Sequence, residues 1–229
     1  MKPTLFKPDV KMVDILQNNY HFLQILDRFD IRFGFGNQTV EEICKEHKID
    51  LSLFILIANV FIYEEYEPKK AEIETCPPSD LLKYLQKSHA YYLDYRLPEL
   101  EKQLKELTAS WESVPAKVVE SFFFEYEKEV REHLAYEEEV AFPYVKRLIE
   151  KTDTSGYSIL EFEKKHDDIE SKIKDLKNIL IKYIPEKNDA MKRNEFLLQL
   201  FLLEEDLNKH MLIENKVLIP IALLLESSR

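Results

Sequence analysis

Two stretches of the chain share one pattern of reactive residues. HLAYEEEVAFPYV runs from His133 to Val145, and HMLIENKVLIPIA from His210 to Ala222. Each reads His, three residues, Glu, then Val three further on and Pro three after that. On a helix, residues i and i+4 share a face, so each copy sets an imidazole beside a carboxylate. That pair of donors suits divalent transition metals. Two more histidines keep the same interval: 77 residues separate His89 from His166, as they do His133 from His210.

The positions around these residues are apolar at helical spacing. His89 shares a stripe with Leu82, Leu85 and Leu93, and His166 with Phe162, Ile169 and Ile173. His133 and Glu137 fall with Tyr126, Val130, Val140 and Tyr144; His210 and Glu214 fall with Leu203, Leu207, Val217 and Ile221. All six therefore face inward. A buried carboxylate is costly unless it is paired or bound to metal. A pair of cations resolves the cost: the four imidazoles supply nitrogen, and Glu137 and Glu214 can each bridge. The mix suits iron and leaves positions open for a small ligand, although zinc or manganese could occupy it. A single His-x3-Glu is weak, and His166 with Glu170 makes a third copy by itself. One histidine per helix with a duplicated spacing is what carries the reading.

These residues need long helices to hold them. The chain has 229 residues, 45% of them hydrophobic, and only three glycines, which points to an all-α fold. Four helices are expected over about 79–110, 114–151, 158–184 and 188–226, with Pro143 as a kink. Their short connections favour an up-down-up-down four-helix bundle built as two hairpins of one plan. Residues 1–66 read as a small N-terminal helical domain, 67–78 as a proline-bearing linker and 79–229 as the bundle. In the N-terminal part, DILQNNYHFLQILDRF has helical spacing, and Gly34 and Gly36 permit a turn. Thr39 and Glu42 form a capping-box pattern, and DLSLFILIANVFIYEEY, Asp50–Tyr66, reads as a buried helix.

Other classes are excluded. A net charge of −11 disfavours nucleic acid and anionic membrane surfaces. The longest apolar run, Leu51–Tyr63, is shorter than the roughly 20 residues a bilayer needs. The N-terminus has no apolar signal core, so a cytoplasmic location is expected. Cys44 and Cys76 make no C-x-x-C and read as reduced thiols. His21 and His47 read as surface or packing residues. Tyr92, Tyr126 and Tyr144 could line the site or be plain core, and Glu129 could support His133 or be solvated. The apolar N-terminal part could pair two copies as a homodimer.

The motifs SHAYYLDYRLPEL, HLAYEEEVAFPYV, FEKKHDDIESKI and HMLIENKVLIPIA, in that order, resemble the haemerythrin-like, His-His-Glu cation-binding family. More closely, the chain looks like the di-iron proteins that repair iron–sulfur clusters, also described as regulators of cell-wall morphogenesis and nitric-oxide signalling. The resemblance implies an oxo- or hydroxo-bridged di-iron centre, with His89, His133, His166 and His210 as terminal ligands and Glu137 and Glu214 as bridges. It extends to LDRFDIRFGFGNQTVEEICKEHKID, Leu26–Asp50, which is similar to the family's short N-terminal helical domain. There the family has two adjacent cysteines; this chain has Gly34–Phe35, so no thiol role carries over. Oxygen-carrying haemerythrins have a further histidine one turn after the third-helix ligand, where this chain has Glu170; a carrier with that ligand set is not expected.

Three functions follow as expectations. The first is a stress-response di-iron protein that delivers iron to damaged iron–sulfur client proteins or handles nitric oxide. It has no flavin, haem or nucleotide motif, so electrons would come from elsewhere. The second is an oxygen or nitric-oxide sensor signalling through the N-terminal helices. The third is a metal-free bundle acting through protein contacts, which leaves the two inward carboxylates unexplained.

Overall fold

The computed structural model describes residues 5–163, 169–185 and 189–228; the side chains at 113, 163 and 169–172 lie outside that description. The fold is all-α, and the described residues hold no strand, only an isolated bridge between Lys11 and Thr39. No helix among them is long and apolar enough to cross a membrane. The chain folds into two compact units. One holds the residues up to 88 with 144–163 and those from 209 on; the other holds 89–143 and 169–208.

In the first unit, α1 (Met12–Asn18) and α2 (Phe22–Arg28) divide the segment with continuous helical spacing. The break has a local cause. Asn19 is extended, and its side-chain oxygen accepts the His21 N–H at 3.1 Å, a bond that competes with the helix. Gly34 and Gly36 both have positive φ, 104° and 57°, and turn the chain into α3 (Val40–His47). The capping box is present: Thr39 Oγ1 accepts the Glu42 N–H, and the Glu42 carboxylate accepts the Thr39 N–H at 2.8 Å. Asp50 caps α4 (Leu51–Ile62), whose faces are buried almost all round. Phe22, Phe29 and Phe54 meet at 5.1–5.9 Å in this core. The proline-bearing 67–78 stretch contains one short helix, α5 (Lys70–Thr75).

Among the described residues the long helices fall where apolar periodicity places them, and three of them pass through a π turn. α6 (Pro78–Ala90) runs through a π turn, Tyr91–Arg96, into α7 (Leu97–Thr108). α8 (Ser113–Tyr136) runs through Glu137–Ala141 into α9 (Phe142–Glu150). α10 (Ile159–Glu163) and α11 (Ile169–Tyr183) follow, and then α12 (Ala190–Ile213), a π turn at Glu214–Leu218 and α13 (Ile219–Ser227). In the second unit α8 packs on both α7 and α11 around Leu100, Leu104, Phe123, Val130, Leu176 and Phe196.

Proline explains the π turns. The N–H groups of Leu97, Phe142 and Ile219 each reach back five residues, to the carbonyls of Tyr92, Glu137 and Glu214. The next residue is Pro98, Pro143 or Pro220. Proline has no N–H to give, and in an α-helix its ring would strike the carbonyl four residues back. A π turn absorbs the misfit by adding a residue to the loop. The kink expected at Pro143 therefore takes the form of a π turn at Glu137–Ala141.

Candidate metal centre

The π turns locate the candidate ligands. His89 precedes the first by two residues. His133 occupies the last turn of α8 and Glu137 opens the second π turn; His210 occupies the last turn of α12 and Glu214 opens the third. The Pro that completes the duplicated motif thus shapes the backbone beside each carboxylate. Lys216, within the third π turn, is itself anchored: its ammonium donates to the carbonyls of Glu64 and Tyr66 at 2.6 and 2.9 Å.

Glu137 is 0% exposed and sits between two imidazoles. His133 Nε2 lies 2.6 Å from its Oε1, and His89 Nε2 lies 2.9 Å from its Oε2. Glu214 is likewise 0% exposed, with His210 Nε2 at 3.2 Å from its Oε1. The His89 ring has two further neighbours: its Nδ1 is 2.8 Å from Glu138 Oε1, and its face stacks on Phe142 at 5.2 Å.

His89, Glu137, His210 and Glu214 form one buried group in which each offers a ligand atom, and these atoms lie within 4.8 Å of one another. Donor bonds of about 2.0–2.2 Å to a transition metal reach across most of that span, so small side-chain shifts would close them on an ion. The donor types also fit: two imidazole nitrogens and two carboxylates suit iron, zinc or manganese. Two buried carboxylates carry negative charge that a divalent cation offsets. A bound transition metal would supply Lewis acidity there, and redox chemistry if it were iron or manganese; the chain supplies the buried, pre-positioned donors.

The remaining candidates are distributed as follows. His133 stands outside the group of four, although its Nε2 faces the same Glu137 carboxylate. His166 and the side chain of Glu170 lie outside the described residues. Two of the three tyrosines hydrogen-bond elsewhere. Tyr92 donates to the Asp206 carbonyl at 3.2 Å, and Tyr144 to Glu226 at 2.5 Å. The buried Tyr126 hydroxyl has no hydrogen-bond partner among the described residues, and desolvation followed by the Glu204 charge pushes its phenol far up. Cys44 and Cys76 are free and buried, each thiol pushed up to about 12, mainly by desolvation and then by Asp50. Neutral thiols of this kind are poor metal ligands.

The carboxylate on the outer nitrogen of His89 is Glu138, a residue the sequence does not single out. It is one of three consecutive glutamates, Glu137–Glu139, and no spacing rule selects it.

Comparison with known proteins agrees with this geometry. Residues 83–222 match the haemerythrin HHE cation-binding domain, a span that contains all six expected ligand positions. No curated protein sequence matches the chain. With more than half of its 229 residues inside that match and an all-α fold around a buried His/Glu group, the chain belongs to the haemerythrin HHE cation-binding domain family.

Proposed function

We propose that the protein carries a non-haem di-iron centre and serves in the response to nitrosative or oxidative stress, delivering iron to damaged iron–sulfur clusters or handling nitric oxide at the centre. His89, His133, His166 and His210 would be the terminal ligands and Glu137 and Glu214 the bridges. The observation that carries the reading is the buried group His89–Glu137–His210–Glu214, whose donor atoms lie within 4.8 Å. The duplicated His-x3-Glu motif supports a second metal, because each carboxylate brings its own imidazole: Glu137 meets His133 at 2.6 Å and Glu214 meets His210 at 3.2 Å. The repair role rests on the order and spacing of the four helix motifs. It implies a cytoplasmic protein with iron–sulfur client proteins as partners and an external electron donor.

A second reading is a sensor in which the centre binds oxygen or nitric oxide and the N-terminal helices pass the signal on. Gly34–Phe35, where related repair proteins have adjacent cysteines, favours it. Incubating iron-loaded protein with a cluster-damaged enzyme separates the two. Recovery of enzyme activity with matching loss of iron from the protein supports repair. Retention of iron, with tight nitric-oxide binding and no recovery, supports sensing.

A further inference from the structure

The observation behind this inference is the grip on the His89 ring. A neutral imidazole carries one proton, and the nitrogen that ligates a metal must be the other one. His89 Nε2 faces Glu137 and the group of four, so it can serve as a ligand only if the proton sits on Nδ1. That atom lies 2.8 Å from Glu138 Oε1, an acceptor. Glu137 and Glu138 are consecutive, and successive side chains on a helix diverge. One aims fully inward at Nε2, while the other, 32% exposed, reaches around the ring to Nδ1. Phe142 stacks on the ring at 5.2 Å with 13° between the planes, which holds the imidazole flat against α9. Residues of 137–142 thus hold the ring at both nitrogens and on one face.

We propose that Glu138 is the positioning residue for His89: it accepts the Nδ1–H hydrogen bond, sets the tautomer, and leaves the Nε2 lone pair aimed at the metal. The role rests on the metal-centre reading above, but it acts through His89 and needs no contact with the ion. Accepting that hydrogen bond also raises the basicity of Nε2 as a donor. The neighbouring Glu139 is exposed and serves as a control.

The test uses the full chain and three variants, Glu138→Ala, Glu138→Gln and Glu139→Ala. Far-UV circular dichroism first establishes that all three fold. Two measurements follow. The first is a 15N–1H correlation of the neutral His89 ring in metal-free protein that also carries Glu137→Ala throughout, since the Glu137 carboxylate 2.9 Å from Nε2 otherwise competes for the proton. Nδ1 should carry the proton in the parent, in Glu138→Gln, whose amide oxygen still accepts, and in Glu139→Ala. In Glu138→Ala the proton should move to Nε2. The second is cobalt(II) affinity by competition. Glu138→Ala should bind about 10–100-fold more weakly, as removal of such a supporting partner does elsewhere, with Glu138→Gln and Glu139→Ala close to the parent. An unchanged His89 tautomer in Glu138→Ala, or an equal loss of affinity in the Ala and Gln variants, overturns the assignment. If the parent itself binds no cobalt, the metal-centre reading fails, yet the tautomer result still decides the role of Glu138.

Discussion

Exchanging Glu137 for glutamine separates a metal-binding carboxylate from a structural one. The side chain is wholly buried, with imidazole nitrogens at 2.6 and 2.9 Å from its two oxygens. If those contacts were a buried ion pair that holds the fold, removing the charge would cost about 3–5 kcal/mol. If the carboxylate exists to bind metal, glutamine can replace it in the empty protein. Its amide donates to one imidazole and its carbonyl accepts from the other, so metal-free stability should move by less than about 1 kcal/mol. Metal-induced stabilisation should vanish. A ligand at about 1,000 times its Kd stabilises by about 4 kcal/mol, which for a protein of this size corresponds to roughly 8–16 °C in Tm. Thermal unfolding of parent and Glu137→Gln, anaerobically, with and without ferrous iron, provides the assay. The parent should gain that shift; Glu137→Gln should start from nearly the same metal-free Tm and gain about nothing. A metal-free Tm lowered by roughly 6–20 °C, or an undiminished shift with iron, would refute the reasoning.

Further outcomes follow from the geometry. The Glu226 carboxylate accepts both the Tyr144 hydroxyl, at 2.5 Å, and the Ile159 N–H, at 3.0 Å. Glu226→Ala should destabilise by about 1–3 kcal/mol in denaturant titration and leave metal stoichiometry unchanged. Cys44 and Cys76 should resist thiol reagents at pH 8 until the protein is unfolded, as a colorimetric thiol assay with and without denaturant will report. The same thiols shape the alkaline limb. Their pKa is raised on folding, from an ordinary value of 9.0 to about 12, so their stabilisation is complete below pH 9 and is lost as pH rises towards 12. Replacing both by alanine should flatten the fall in stability over that window.

The core of the candidate site was legible because it is written in helical spacing. His133 and Glu137, like His210 and Glu214, are four apart, and each pair meets across one turn at 2.6 and 3.2 Å. His89 was legible from its apolar stripe, and the structure buries it beside Glu137. Two features were not legible. The π turns depend on how Pro98, Pro143 and Pro220 are reconciled with helices that must continue through them; sequence alone suggests a kink as readily. The choice of Glu138 on His89 Nδ1 depends on how the turn carrying Glu137–Glu139 meets the His89 ring, a long-range quantity that no local pattern encodes. The division between α1 and α2 lies in between: Asn19 is a known competitor for backbone hydrogen bonds, but the apolar spacing runs straight past it.

The most direct test of the central claim is an anaerobic titration of metal-free protein with ferrous iron, followed by admission of air. The account predicts saturation at about two irons per chain, with near-ultraviolet charge-transfer bands of an oxo-bridged pair after oxidation. It also predicts loss of both in the double variant Glu137→Gln, Glu214→Gln. Saturation at one iron, or no binding by a folded parent protein, would contradict it.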